Sequence, residues 1–149
     1  MVPLDGSADP FTSTWAQSPS WAPDGQRLAF ESLSGIFVAN VKTRKTRLVG
    51  GTSLSACPVW SPNGKWIAVC SSKDARTHQF HSLDVITPTG ASRRRLVKGG
   101  VITPVAWAPS SEAILFSRVK DDRGVEPRQL FIVSLRDHQV IPVKSQDVV

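Results

Sequence analysis

One phrase occurs three times in this chain, and it constrains the fold more than any other feature. Ser18-Pro19-Ser20-Trp21-Ala22-Pro23-Asp24-Gly25-Gln26-Arg27-Leu28-Ala29-Phe30 returns as Cys57-Pro58-Val59-Trp60-Ser61-Pro62-Asn63-Gly64-Lys65-Trp66-Ile67-Ala68-Val69. It returns again, degraded, as Thr103-Pro104-Val105-Ala106-Trp107-Ala108-Pro109-Ser110-Ser111-Glu112-Ala113-Ile114-Leu115-Phe116. Trp21, Trp60 and Trp107 stand 39 and 47 residues apart. A second landmark, Arg47-Leu48-Val49-Gly50-Gly51, reappears 48 residues later as Arg95-Leu96-Val97-Lys98-Gly99-Gly100. Self-similarity at such a period marks a stack of supersecondary units, none of which buries its apolar faces alone.

Each unit reads as four strands. In Pro-Asp-Gly and Pro-Asn-Gly, proline presets the second position of a type I turn and glycine takes the positive φ that closes a hairpin. That turn joins Ser20–Ala22 to Arg27–Phe30, and Val59–Ser61 to Trp66–Cys70. Apolar runs of strand length follow at Ile36–Val41, Leu83–Ile86 and Leu130–Leu135. Shorter closing strands fall near Thr46–Val49, Arg94–Val97 and Val140–Val143, so the repeats span about 15–51, 52–100 and 101–143 of a single domain covering 1–149. No window holds a helical period, and the chain reads as all β. Leu28-Ala29-Phe30, Trp66-Ile67-Ala68-Val69 and Ile114-Leu115-Phe116 are apolar without alternation. Such strands must be covered on both faces.

The pattern Pro-x-Trp-Ser/Ala-Pro-Asp/Asn-Gly-x-x-Ile/Leu-Ala-Phe/Val resembles the TolB-type, WD-like β-propeller repeat, over about residues 15 to 143. In the third copy Ser110-Ser111 replaces Asp-Gly and Ala106 precedes the tryptophan, which leaves that hairpin's register open. The resemblance implies three four-stranded antiparallel blades. Closed propellers use about four to eight blades of roughly 40–45 residues. Three cannot close, and the open ends would bare two apolar sheet faces. The expectation is half of a six-bladed ring, completed by a two-fold homodimer in which the third blade of each chain packs on the first blade of the other. The alternative is a fragment, or a subunit covered by another propeller piece.

The chain carries 18 basic and 12 acidic residues, for a net charge of +6. Such an excess favours anionic partners without dictating a fold. The basic groups cluster at Lys42, Arg44, Lys45 and Arg47, and at Arg93, Arg94, Arg95 and Lys98. Both clusters enter a predicted outermost strand, where charges guard a sheet edge. Nucleic acid is therefore not the expected partner, although Arg93, Arg94 and Arg95 follow a turn and stand as partner-contact candidates. No run approaches the length of a membrane helix, and residues 1–6 lack a basic-then-apolar leader. The resemblance implies a periplasmic site for a trimmed TolB-like protein, and a cytoplasmic one otherwise.

No Gly-x-Ser-x-Gly elbow, phosphate loop or His-Glu-x-x-His helix is present. Cys57 and Cys70 flank the Pro62-Asn63-Gly64 turn. If Ser61 pairs with Lys65, Cys57 falls opposite Val69 and Cys70 points to the other face, so the two read as buried small hydrophobes without a disulfide. His78 and His81 lie in a connection and read as solvated. Together with His138 they would be the metal ligands if the chain followed propeller lyases. The expected function is a non-catalytic module with no cofactor or metal, binding a protein or peptide at the ring face. Its tunnel-side candidates are Ser18, Cys57 and Thr103, where the innermost strands begin. The rival is an accessory propeller of an enzyme, either a serine peptidase or a polysaccharide lyase.

Overall fold

The computed structural model describes residues 16–50, 54–72, 79–120 and 127–144. Twelve strands form three four-stranded antiparallel sheets, with no helix among the described residues. The first holds β1 (Gln17–Trp21), β2 (Arg27–Ser32), β3 (Gly35–Asn40) and β4 (Thr46–Gly50) in chain order. The second holds β5 (Ser55–Trp60), β6 (Ile67–Ser72), β7 (Phe80–Ile86) and β8 (Arg93–Lys98). The third holds β9 (Val101–Trp107), β10 (Ala113–Val119), β11 (Gln129–Ser134) and β12 (Val140–Pro142). His78 lies outside the described residues.

The repeated turn closes each first hairpin in the same way. Gly25 N–H donates to Ala22 O, Gly64 N–H to Ser61 O and Ser111 N–H to Ala108 O, at 2.8–3.0 Å. Gly25 and Gly64 sit at φ 66° and 70°, and Ser111 takes the same place at 63°. A non-glycine residue there costs on the order of 1 kcal/mol. Ser111 offsets part of that cost, because its Oγ accepts the Asn63 N–H at 3.0 Å and ties the second hairpin to the third. Asp24 Oδ1 accepts from the backbone of Gln26 and Arg27, and these bonds, that to Gln26 foremost, hold its carboxyl below the usual range.

The third hairpin, whose register the sequence left open, is in step with the others. Trp107 pairs with Ile114, as Trp21 pairs with Leu28 and Trp60 with Ile67. The added residue is absorbed as a bulge, since Pro104 opposes Phe116 while Ala106 opposes Leu115. The other first strands bulge too, between Gln17 and Ser20 and between Ala56 and Val59. There Ser18 and Cys57 both take a left-handed φ of 53°.

Between the first two sheets Ala29, Ile36, Val38 and Val49 pack with Trp60, Ile67, Val69 and Ile86. Between the second and third, Ala68, Leu83, Val85 and Val97 pack with Ile102, Ile114, Phe116, Phe131 and Val133. The run Ile67-Ala68-Val69-Cys70 is fully buried because its alternate side chains enter two different cores. Trp107 spans the second junction and donates Nε1–H to Val59 O at 2.9 Å. Trp107→Phe keeps an aromatic six-membered ring but loses the pyrrole part of the indole and that bond, so urea unfolding should show a loss of at least about 1 kcal/mol.

Candidate interaction site

The first strands of the sheets converge, with β5 packing against β1 and β9 against β5. The sequence-derived candidates Ser18, Cys57 and Thr103 lie on these three strands. Bulges re-aim side chains and interrupt pairing. At the second one the Cys57 N–H leaves the ladder and donates to Glu31 Oε2 of the first sheet at 3.2 Å, while Gln17 Nε2 donates to Glu31 Oε1 at 3.1 Å. Thr103 Oγ1 accepts from Arg128 Nη1 at 3.5 Å, and Arg128 also reaches Ser117 Oγ at 3.2 Å. Ser18 is exposed; Cys57 and Thr103 are half-buried. The converging strand ends thus carry a carboxylate, Glu31, and a guanidinium, Arg128, neither of which the repeat pattern singles out.

The arginine run of β8 has internal partners. Asp84, fully buried on β7, accepts from Arg93 Nε at 2.7 Å and from Arg95 Nε at 3.0 Å. Arg93 Nη2 donates also to Ser71 Oγ at 2.6 Å, and its Nη1 lies 3.4 Å from Ser55 Oγ. Arg94, one residue between them on the strand, points to the opposite face. Its guanidinium stacks 4.8 Å from the Trp66 ring centroid and reaches Leu135 O of the third sheet at 3.4 Å. Alternation along the strand therefore divides the run between two junctions. Arg95, whose side chain is 55% exposed, keeps the most surface of the pair on Asp84.

The cysteines depart from expectation. Both thiols are free, and the register differs from the one that sets Cys57 opposite Val69: Trp60 pairs with Ile67, and past the bulge Ala56, not Cys57, stands opposite Cys70. The Cys70 thiol nearby lowers the pKa of Cys57, whereas Cys57 and burial push Cys70 up. The Cys70 S–H donates to Ala56 O at 3.3 Å. His81 stands within β7, not in a connection, and His138 ends a turn at φ 58°. Among the described residues no three His, Cys, Asp or Glu side chains converge as metal ligands.

The outward faces of the end sheets are apolar. On the first sheet Trp21, Leu28 and Leu48 are joined by Phe30 stacked on Phe37, and Ala16, Gln17, Pro19, Leu28 and Phe30 line a cleft of about 160 Å³. On the third sheet Leu130, Ile132 and Ile141 lie bare. Register makes these faces equivalent to internal ones. Trp21 is 59% exposed where Trp60 is 5%. Leu130 and Ile132 are 41% and 40% exposed where Ile36, Val38, Leu83 and Val85 do not exceed 8%.

No protein-family model matches the chain. A Tol-Pal system protein TolB of Alcanivorax borkumensis is 35% identical over 38% of this chain and 14% of its own length. Among solved structures, a protein described as TolB from Agrobacterium tumefaciens superposes with a TM-score of 0.68 at 18% identity, covering 88% of this chain and 50% of that one. The β-propeller domain of the trilobed protease from Pyrococcus furiosus, which has an open velcro topology, gives 0.62 at 19% identity, over 85% of this chain and 41% of its own. The chain thus spans half or less of the proteins it matches. Its repeats are TolB-like, and its fold is that of the β-propeller proteins.

Proposed function

We propose that the chain is a non-catalytic interaction module that completes a six-bladed ring with a second copy of itself and takes a protein or peptide at the converging ends of its first strands. One observation carries this reading: residues at equivalent repeat positions are buried at the two internal junctions and bare at the two ends. A ring of two copies gives each end the neighbour that its counterpart already has. Leu130 and Ile132 of one copy would lie over Leu28, Phe30 and the adjoining cleft of the other, as Ile36 and Val38 lie over Ile67 and Val69 within the chain. Both ends are satisfied at once, so the association is closed by a two-fold axis and does not run on as a filament. The TolB-like fold supports a binding role by analogy, since propellers serve many activities and the site decides among them.

The ligand would meet Ser18, Cys57 and Thr103 around the opening, with Glu31 and Arg128 offering opposite charges. Of the β8 arginines, Arg95 retains surface for a second contact. Sedimentation equilibrium at micromolar concentration tests the assembly. The expected mass is twice the 16.2 kDa subunit, and a folded species at 16.2 kDa overturns it.

A further inference from the structure

We infer, building on the two-copy ring proposed above, that the seam between copies binds a carboxylate, gripped by Arg128 of one copy and the β1 bulge at Ser18 of the other. The internal junction of the first two sheets is the precedent. There the bulge turns the Cys57 N–H out of the ladder, and Glu31 of the preceding sheet accepts it at 3.2 Å. The first repeat carries the same bulge. Ser18 takes the φ of 53° that Cys57 takes, and Pro19 follows it as Pro58 follows Cys57. Ring closure lays the third sheet of the other copy against that bulge, as the first sheet lies against the second.

The third sheet brings a different side chain to this contact. Glu31 lies three residues past Leu28, the partner of Trp21, and the same step past Ile114, the partner of Trp107, reaches Ser117. Ser117 faces outward, since its neighbour Phe116 enters the core. The charged side chain beside it is a guanidinium: Arg128 Nη1 donates to Ser117 Oγ at 3.2 Å and to Thr103 Oγ1 at 3.5 Å. Arg128 is exposed, and its hydrogen-bond partners among the described residues are these neutral hydroxyls. The seam therefore sets a peptide N–H against a guanidinium, where the internal junction sets a peptide N–H against a carboxylate. Two donors facing one gap suit an anion, and the planar fork of arginine suits a carboxylate in particular. The bound group takes the place that Glu31 holds within the chain, and the two-fold axis gives two such sites per ring. The second internal junction needs none. Thr103 is paired in its ladder, the β9 bulge falls beyond it, and Cys70, the counterpart of Glu31, donates its thiol within its own sheet.

The test follows the Ser18 amide signal by NMR at constant ionic strength, in protein whose mass is first measured by sedimentation. N-acetylglycine presents a chain-terminal carboxylate, N-acetylaspartic acid N-methylamide a side-chain one, and N-acetylglycinamide is the neutral control. One or both acids should shift the signal saturably, the tighter one naming the source of the carboxylate, while the amide leaves it in place. Arg128→Gln should weaken binding at least about tenfold, because a charge-assisted hydrogen bond is lost. If Arg128→Gln dissociates the ring, Arg128→Lys makes the comparison and should also bind more weakly, since it keeps the charge and loses the fork. Ser117→Glu should set the protein's own carboxylate at the counterpart of Glu31, so that the acids no longer bind and self-association tightens. A two-copy ring in which neither acid shifts Ser18, or in which the neutral amide shifts it equally, overturns the carboxylate site and leaves the ring standing. Wild type that sediments at a single subunit mass overturns the ring, and this site with it.

Discussion

Replacing Arg93 with alanine is expected to lower stability by about 3 kcal/mol, and to do so far more than replacing its neighbour Arg94. Asp84 has no exposed surface, and a carboxylate in that position persists only if its charge and lone pairs are matched. Arg93 supplies most of that match, through the bonds to Asp84 and the links onward to Ser71 and Ser55. Removing one partner of a buried pair typically costs about 3–5 kcal/mol, because it strands the other charge. Arg93 is itself one-third exposed and Arg95 still reaches Asp84, so the lower end of that range applies. Arg94→Ala loses a stacking contact on Trp66 and one long hydrogen bond, worth roughly 1 kcal/mol together. Urea denaturation of both variants gives the comparison. Equal, small shifts would mean that Asp84 does not depend on Arg93.

The second large effect concerns association. Leu130→Asp together with Ile132→Asp should convert the proposed two-copy ring to folded monomers, weakening self-association at least about a hundredfold. Burying a leucine or isoleucine side chain contributes about 1.5–3 kcal/mol, and each 1.4 kcal/mol is a factor of ten in affinity. Both residues stand on the outward face of the third sheet, so carboxylates there face water in the monomer and leave its own core untouched. Leu33→Asp is the control. Leu33 is more exposed than either, yet it sits in the β2–β3 turn and not on a strand, and should leave the mass unchanged. A double variant that still sediments at twice the subunit mass would show that these faces do not meet.

Much of the architecture was legible because its cues are local. Pro-Asp-Gly, Pro-Asn-Gly and the tryptophan before each turn fix a hairpin within a dozen residues, and the strands expected from them are present, although β5 begins at Ser55 where Val59 was expected, and β1 and β7 also begin early. The uncovered end faces were legible for a similar reason, since a strand without alternation announces two apolar faces. The register around the cysteines was misread because both the pairing and the bulge depend on the partner strand. Trp60 pairs with Ile67 where a Ser61–Lys65 pair was expected, and one extra residue between Ala56 and Val59 then sets Ala56, not Cys57, opposite Cys70. The Asp84 cluster was missed for want of a cross-strand rule. An aspartate inside Leu83-Asp84-Val85-Ile86, followed nine residues later by three arginines, is a signal only once β7 is known to lie beside β8. Glu31 and Arg128 carry no local mark at all, because what makes them notable is the neighbouring strand or sheet each one reaches.

The middle sheet is covered on both sides within the chain, and each end sheet on one side only. Free energy in such a stack accumulates from neighbour to neighbour. The end sheets can therefore fray while the centre stays folded, and amide protons of β6 and β7 should be the last to exchange with solvent. A lid of any kind over the outer faces would slow exchange at the periphery first, which makes the chain's own rim a gauge of whether its ends are occupied.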